Sequence, residues 1–131
     1  MDVSRINTPP SKEQVDMISP FMSKYNKLKP EEWLAAFMSG KHQWWEWETE
    51  EGKGIVITEV RAEVEGDYLF VLITAGSGYI RNLKVLLPKM LERAKELDCI
   101  GIRGRVEKTG LARAYHRAGM RRSAVELTME I

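Results

Sequence analysis

The sequence predicts a single α+β domain in which helices cover a mixed β-sheet. Between residues 43 and 74, apolar and polar side chains follow the two-residue period of strands, and glycine-rich turns divide them. From residue 79 onward, long segments of helical period alternate with short apolar segments, which indicates a β-α-β-α-β order. At 131 residues, the chain is long enough for one hydrophobic core.

The N-terminal part predicts an arm followed by two helices. We interpret residues 1–10, which end in two prolines, as an N-terminal arm that is flexible or docked on a partner, and residues 11–131 as one domain. A first helix is expected from Lys12 to Tyr25, because its apolar residues recur at spacings of three and four. A second helix begins at Pro30, since proline suits a first helical turn, and ends at Gly40.

Three strands in an antiparallel meander are expected next. In the first strand, Trp45 and Trp47 alternate with glutamates, as in a half-buried strand. The second strand covers residues 54–61. The third, residues 68–74, is apolar on both faces and is therefore predicted to be central and covered.

The second half predicts a crossover and a final strand. A long helix over residues 79–97 joins the third strand to a short buried strand over residues 100–105, and this connection should be parallel and right-handed. A short helix over residues 106–117 is closed by Gly119, and residues 123–131 alternate as a last strand.

Composition and charge exclude several classes of protein. No apolar run approaches the roughly 18 residues of a membrane helix, and no secretory signal is recognisable, so we expect a cytoplasmic protein without a membrane partner. The lone Cys99 excludes an intrachain disulfide, and His42 and His116 have no ligand partners at metal-binding spacing, so no metal is expected. Residues 81–131 carry twelve Lys/Arg against six Asp/Glu, which would suit an anionic partner.

The element order, with Tyr115 followed four residues later by Gly119 and Met120, resembles the GCN5-related N-acetyltransferase (GNAT) fold. The resemblance implies that Tyr115 lies near the coenzyme A sulfur and acts as general acid. It also implies that the loop opening the long helix, Gly76-Ser77-Gly78, binds the cofactor phosphates. Backbone amides at a helix start do bind anions, and Arg81 would add a charged contact. A simple turn between strand and helix is the alternative interpretation.

A subgroup of small GNAT-like proteins encoded by bacteriophages resembles the chain more closely. The matching motifs span about ninety residues: Gly40-Lys41-His42-Gln43-Trp44-Trp45, Thr58-Glu59-Val60, Ala75-Gly76, Ala94-Lys95-Glu96-Leu97-Asp98-Cys99, Gly104-Arg105 and Gly119. Such proteins resemble virion-associated proteins, so this resemblance implies protein partners, among them other virion proteins, and a location in the host cytoplasm or the virion.

Further candidate residues follow from the residue types. Acetyl transfer needs a base for the acceptor ammonium, and Glu59 is the first candidate, beside the alternative of an ordinary outward glutamate. The tryptophans Trp44, Trp45 and Trp47 alternate along one strand, so they either pack in the core or contact a partner. A basic cluster would bind phosphates without sequence specificity, or an acidic protein surface; its members include Arg103, Arg105, Arg113 and Arg117.

Two functions are therefore expected from the sequence. The first is a phage-type, virion-associated or assembly protein of GNAT-like fold that has lost efficient cofactor binding and acts through protein partners, either as a monomer or as an oligomer. The alternative is an acetyl-coenzyme A-dependent N-acetyltransferase acting on an amine of a small molecule or protein. No cofactor is expected in the first case, and acetyl-coenzyme A in the second. The incomplete glycine pattern of residues 76–78 favours the first.

Overall fold

The computed structural model describes residues 2–22, 28–105, 109–121 and 129. Nine elements follow one another in these residues: β1 (Val3–Arg5), α1 (Lys12–Met22), α2 (Pro30–Met38), β2 (His42–Thr49), β3 (Gly52–Glu63), β4 (Gly66–Gly76), α3 (Leu83–Glu96), β5 (Gly101–Gly104) and α4 (Thr109–Arg117). None of the helices in the described ranges is long and apolar enough to cross a membrane.

The five described strands form one mixed sheet in the order β1-β2-β3-β4-β5. Neighbouring strands are antiparallel from β1 to β4, and β4 pairs with β5 in parallel through the α3 crossover. The α+β class, the antiparallel meander and the mixed sheet predicted from the sequence are thus confirmed.

The sheet has a hydrophobic core on each face. Trp45, Trp47 and Val56 belong to the core that α3 covers. Trp44 belongs to the opposite core, which contains Ile18 of α1 and Trp33 of α2. Because helices cover both faces, alternation along β2 buries every one of its tryptophans, and they are only 1–3% exposed.

The N-terminal segment departs from the expected arm. Val3 to Arg5 pair with β2 as an edge strand, and Val3 is fully buried. Arg93 of α3 holds this strand from the side, since its Nε donates to the Val3 carbonyl at 2.8 Å and its guanidinium pairs with Asp2 at 3.1 Å. Burial of Val3 and Ile6 therefore makes residues 3–6 part of the fold, and the expectation of a free or partner-docked arm is wrong for them.

Several element limits differ from the predicted ones. The first helix is described as far as Met22, and residues 23–27 lie outside the described ranges. The crossover helix begins at Leu83 rather than Tyr79, because residues 77–82 form a turn first. Gly119, with φ of +110°, follows the end of α4 as predicted. The strand predicted over residues 123–131 lies almost wholly outside the described residues.

Candidate functional site

Among the described residues, a split opens in the sheet beside the second half of β4. This strand pairs with β3 as far as Gly76, but its pairing with β5 stops at Val71 and Gly104. No other described strand takes the place of β5 alongside residues 72–76. A register shift marks the same point, since Ile57 pairs with Ile73 and Thr58 with Val71, which leaves Leu72 as a bulge. Bulges bend a strand and interrupt its ladder, so this one favours the divergence of β4 from β5.

A glycine turn leads from the split to α3. Gly76 has φ of +131° and Gly78 has φ of +78°, conformations that favour glycine. A Cβ on Gly76 would lie 2.5 Å from the Lys53 carbonyl oxygen, so the backbone approaches the β2–β3 hairpin closely there. Gly78 faces more space, and a Cβ there would first meet the Asn82 amide nitrogen at 3.5 Å.

Asn82 organises this turn from within. Its backbone amide donates to the carbonyls of Gly78 and Tyr79, and its side-chain Nδ2 donates to the Gly78 carbonyl at 2.8 Å. In the described part of the chain, the amides of Gly78, Ile80 and Arg81 find no acceptor. Amides at the start of a helix, together with its dipole, attract anions.

An acidic side chain lies against the same turn. Glu51, in the β2–β3 turn, pairs through Oε2 with Arg81 Nη1 at 3.2 Å. A cavity of about 300 Å³ separates the two turns, and Thr49, Glu50, Glu51 and Asn82 line it. The Arg81 guanidinium thus already has a carboxylate partner where an anionic ligand would meet it. The sequence did not indicate this contact, because thirty residues separate its partners.

The predicted acid and base lie on opposite faces of the sheet. Tyr115 of α4 is half-buried and packs with the core under α3. Glu59 shares its face of β3 with Ile55 and Ile57, which belong to the opposite core. The Glu59 carboxylate accepts from Arg61 Nε at 3.1 Å, and Lys41 lies 3.9 Å away. The roles of Tyr115 and Glu59 stay predictions.

The predicted interaction residues have different surroundings. The burial of Trp44, Trp45 and Trp47 corrects the suggestion that they form a partner surface. Arg103 stacks on the Tyr68 ring at 3.7 Å and pairs with two glutamates, so nearby groups in the chain neutralise its charge. Arg105, Arg113 and Arg117 are exposed, and Arg117 Nε donates to the Arg113 carbonyl at 3.4 Å.

His42 is a candidate that the sequence reasoning missed. It begins β2 opposite Glu59, is 2% exposed, and its ring lies 5.2 Å from that of Trp33. Burial lowers the pKa of His42, while the Glu59 carboxylate opposes this in part, so the ring is neutral near pH 7. The sequence did contain a signal for the burial of His42: it lies two residues before Trp44 on the same strand, so both side chains point to one face.

The remaining reactive groups offer little chemistry. Cys99 is buried, and burial raises the pKa of its thiol, which disfavours the reactive thiolate form. In the part of the chain that the structure describes, no three His, Cys, Asp or Glu side chains are grouped to hold a metal ion.

Comparison with known proteins shows similarity in structure only. Neither a protein-family model nor a curated protein matches the sequence. A ribosomal-protein-alanine N-acetyltransferase from Brucella melitensis biovar Abortus 2308 superposes with a TM-score of 0.69 at 10% identity, over 99% of this chain and 98% of that one. An aminoglycoside acetyltransferase from an uncultured soil metagenomic sample gives 0.67 at 12% identity, over 99% and 95%.

A third similar structure contains acetyl-CoA. It is a predicted acetyltransferase with acetyl-CoA from Clostridium acetobutylicum, with a TM-score of 0.63 at 10% identity, over 98% of this chain and 95% of that one. At such identities the agreement concerns the path of the backbone. The chain therefore has the fold of the GCN5-related N-acetyltransferases.

Proposed function

We propose that this protein is an acetyl-coenzyme A-dependent N-acetyltransferase. The observation that carries the proposal is the split beside residues 72–76, which ends at the glycine turn before α3. A strand with an unpaired edge can hold an extended ligand by backbone hydrogen bonds. Amides without acceptors at Gly78, Ile80 and Arg81 suit the phosphates of such a ligand. The similar acetyltransferase structures support the same function.

In this proposal the residues of the chain bind the cofactor and move two protons. The amides of Gly78, Ile80 and Arg81 would bind the phosphates, and Arg81 would exchange its Glu51 partner for them. When bound, acetyl-coenzyme A supplies an activated acetyl group. Glu59 would take a proton from the acceptor ammonium, and the freed amine nitrogen would then bond to the acetyl carbon as the carbon–sulfur bond breaks. The Tyr115 hydroxyl would give its proton to the departing sulfur and regain one from the acylated nitrogen. Glu59 pairs with Phe70 on the face of the core that contains Ile55 and Ile57, and Tyr115 packs on the face that α3 covers, so the two residues lie on opposite faces of the sheet.

The virion-assembly hypothesis has no specific observation in its favour. Its expected contact surface, the tryptophans of β2, is buried in the chain, and residues 3–5 belong to the sheet. The similar structures described above are acetyltransferases, which favours the enzymatic alternative.

Calorimetric titration with acetyl-coenzyme A tests the proposal. We expect binding by the natural chain and its loss in Gly78→Glu, which places a carboxylate beside the proposed phosphates. Gly40→Glu is the matched control, because Gly40 has φ of +81° and Gly78 has φ of +78°, and neither position is crowded. Both substitutions should cost similar backbone strain, so a selective loss in Gly78→Glu locates the site. Absence of binding by the natural chain up to about 1 mM, the weak end of specific binding, would refute the proposal.

A further inference from the structure

Three arginines in and after α4 differ from most other arginines of the chain in having no acidic partner. Arg61, Arg81, Arg93 and Arg103 each pair with at least one carboxylate. None of the carboxylates in residues 2–22, 28–105 and 109–121 forms an ion pair with the arginines of α4 or of the turn after it. These exposed residues, Arg113, Arg117 and Arg121, form the α4 basic surface.

The α4 basic surface has a fixed direction, because the other side of the helix is packed. Tyr115 and Ala118 are among the residues of α4 that pack against the core under α3. Arg113 and Arg117 are four residues apart, about 6 Å along the axis, and therefore project from the same side of α4. Arg121 follows the end of the helix with the same spacing. The helix thus presents these charges to solvent rather than to the rest of the chain.

Two exposed lysines of α3 extend the positive charge toward α4. Arg93 marks the flank of α3 that faces β1, at one edge of the sheet, because it bonds the Val3 carbonyl there. Lys84 and Lys95 are rotated from Arg93 by about 160 to 180° around the helix, so they lie on the opposite flank, toward β5 and α4. The ion pairs within α3 join other residues, and α3 contacts α4 directly. The positive charge therefore covers adjacent flanks of two helices.

The side chains around these charges indicate which kind of anion fits. The exposed residues described in α4 and the turn after it are arginine, histidine or glycine, so this surface lacks the apolar anchors of protein interfaces. No aromatic side chain in the described ranges is exposed, and single-stranded nucleic acids bind by stacking on such side chains. Guanidinium groups suit phosphate oxygens, which they bind with two parallel hydrogen bonds. A duplex, whose phosphates lie outside its stacked bases, meets these conditions.

We propose that the α4 basic surface binds the phosphate backbone of duplex nucleic acid without reading its sequence. Arg113 and Arg117 each bind a phosphate, and Arg121 makes a third contact. Lys84 and Lys95 add a longer-range attraction that salt weakens. The inference goes beyond the proposed function, because the three arginines do not belong to the proposed cofactor site. DNA and RNA duplexes share the phosphate chemistry, so the test includes both.

Fluorescence anisotropy of a labelled DNA duplex of about 20 base pairs measures this binding. At about 50 mM salt we expect saturable binding with a Kd of about 1–100 μM, equal within about twofold for two unrelated sequences. A plot of log K against log salt concentration should have a slope of about −2.7, the value for three phosphate contacts. The single strand should bind at least about threefold more weakly, because it lacks a stacking platform on the protein. Binding of either a DNA or an RNA duplex supports the inference, and the tighter of the two identifies the source of the phosphates.

A double variant locates the site on α4. Arg113→Gln with Arg117→Gln removes two of the three contacts, so it should weaken binding by about tenfold or more and bring the slope to about −0.9. Arg5→Gln with Lys12→Gln is the matched control, because it changes the net charge equally at exposed positions of β1 and α1. The control should lose less than about twofold in affinity.

A single variant keeps the test decisive if the double variant fails to fold. Arg121→Gln lies outside the helix and should bring the slope from about −2.7 to about −1.8. Circular dichroism shows which variants keep the natural fold.

Three results would overturn the inference. They are no binding of either duplex up to about 100 μM protein, equal losses in the control variant, or displacement of the duplex by polyglutamate as effectively as by unlabelled duplex at equal charge. The last result would assign the surface to an acidic protein. Acetyl-coenzyme A binding is measured separately by calorimetry, so failure of one proposal leaves the other standing.

Discussion

Polar groups have opposite surroundings in two regions of the molecule, the glycine turn before α3 and the core between α2 and the start of β2. In the turn, Asn82 bonds Gly78 and Arg81 pairs with Glu51, and these side chains remain at the surface. In the core between α2 and the start of β2, the rings of His42 and Trp33 are buried beside each other, and His42 Nδ1 and Trp33 Nε1 have no hydrogen-bond partner among the described residues. Water screens and solvates the first group, whereas the second is isolated from water. The comparison teaches that an anion at the turn would meet amides without acceptors and compete only with Glu51 for Arg81, whereas the nitrogens of His42 and Trp33 are out of reach of both water and ligands.

The largest effect on the free energy of unfolding is expected from removing the buried indole of Trp33 in α2. Trp33→Ala removes a fully buried indole and should lower the free energy of unfolding by about 3–5 kcal/mol. Leu34→Ala, at the next position of α2, removes a side chain that is 48% exposed and should cost about 0.5 kcal/mol or less. Urea denaturation measures both variants. Similar losses would show that Trp33 does not anchor this side of the molecule.

Acid should lower the free energy of unfolding of the chain, because His42 is buried in its neutral form. Its pKa in the folded chain is lowered from 6.5, chiefly by burial, with Lys41 and Arg61 adding to the effect and Glu59 opposing it. The unfolded chain therefore takes up this proton first. Stability that is fully present above pH 6.5 is lost as the pH falls toward the folded-state value.

The pH prediction is measured as the difference between pH 7 and pH 5 in the free energy of unfolding. His42→Phe should lose less stability over this interval than the natural chain does, because it no longer carries the titrating ring. His116→Gln serves as the control, since that histidine is exposed, and it should behave like the natural chain. An unchanged pH dependence in His42→Phe would show that burial of His42 is not coupled to folding.

A moderate effect is expected at the turn, in cofactor affinity. Glu51→Gln removes a negative charge that competes for Arg81 and should strengthen acetyl-coenzyme A binding by about fivefold, which corresponds to about 1 kcal/mol for two charges in contact in water. The gain should shrink as salt is added. Glu92→Gln changes the net charge equally from the exposed face of α3 and should have little effect. Equal gains in both variants would point to net charge alone.

The smallest effect concerns the stability of the turn itself. Arg81 and Glu51 are 76% and 49% exposed, so their ion pair should contribute no more than about 0.5 kcal/mol in a double-mutant cycle with alanine. A coupling above about 2 kcal/mol would contradict the view that this pair is readily exchanged for a ligand.

Local patterns in the sequence were sufficient for most of the fold. Helical spacing and the proline at residue 30 predicted α2, and alternation predicted the strands of the meander, because backbone geometry fixes these periods. The β-α-β order predicted the parallel pairing of β4 and β5, since crossovers have one favoured hand. The positive φ of Gly119 was also predictable, because glycine is favoured directly after the end of a helix.

Long-range packing was not accessible in this way. Alternation along β2 predicts that Trp44 and Trp45 point to opposite faces. Each is buried only because helices cover both faces of the sheet. Val3–Arg5 pair with β2, and Arg93, ninety residues from Val3 in sequence, donates a hydrogen bond to the Val3 carbonyl.

The sequence by itself thus determined the order of the elements after β1 in the described residues and the glycine turn, because each depends on neighbouring residues; the roles of Tyr115 and Glu59 stay predictions. Only the tertiary structure decided that the sheet splits after Val71, that Glu51 meets Arg81, and that His42 is buried beside Trp33. These features depend on contacts between segments that are distant in sequence, and neither residue spacing nor composition specifies such contacts. The physical reason is that solvation and charge at a site are set by all elements packed around it.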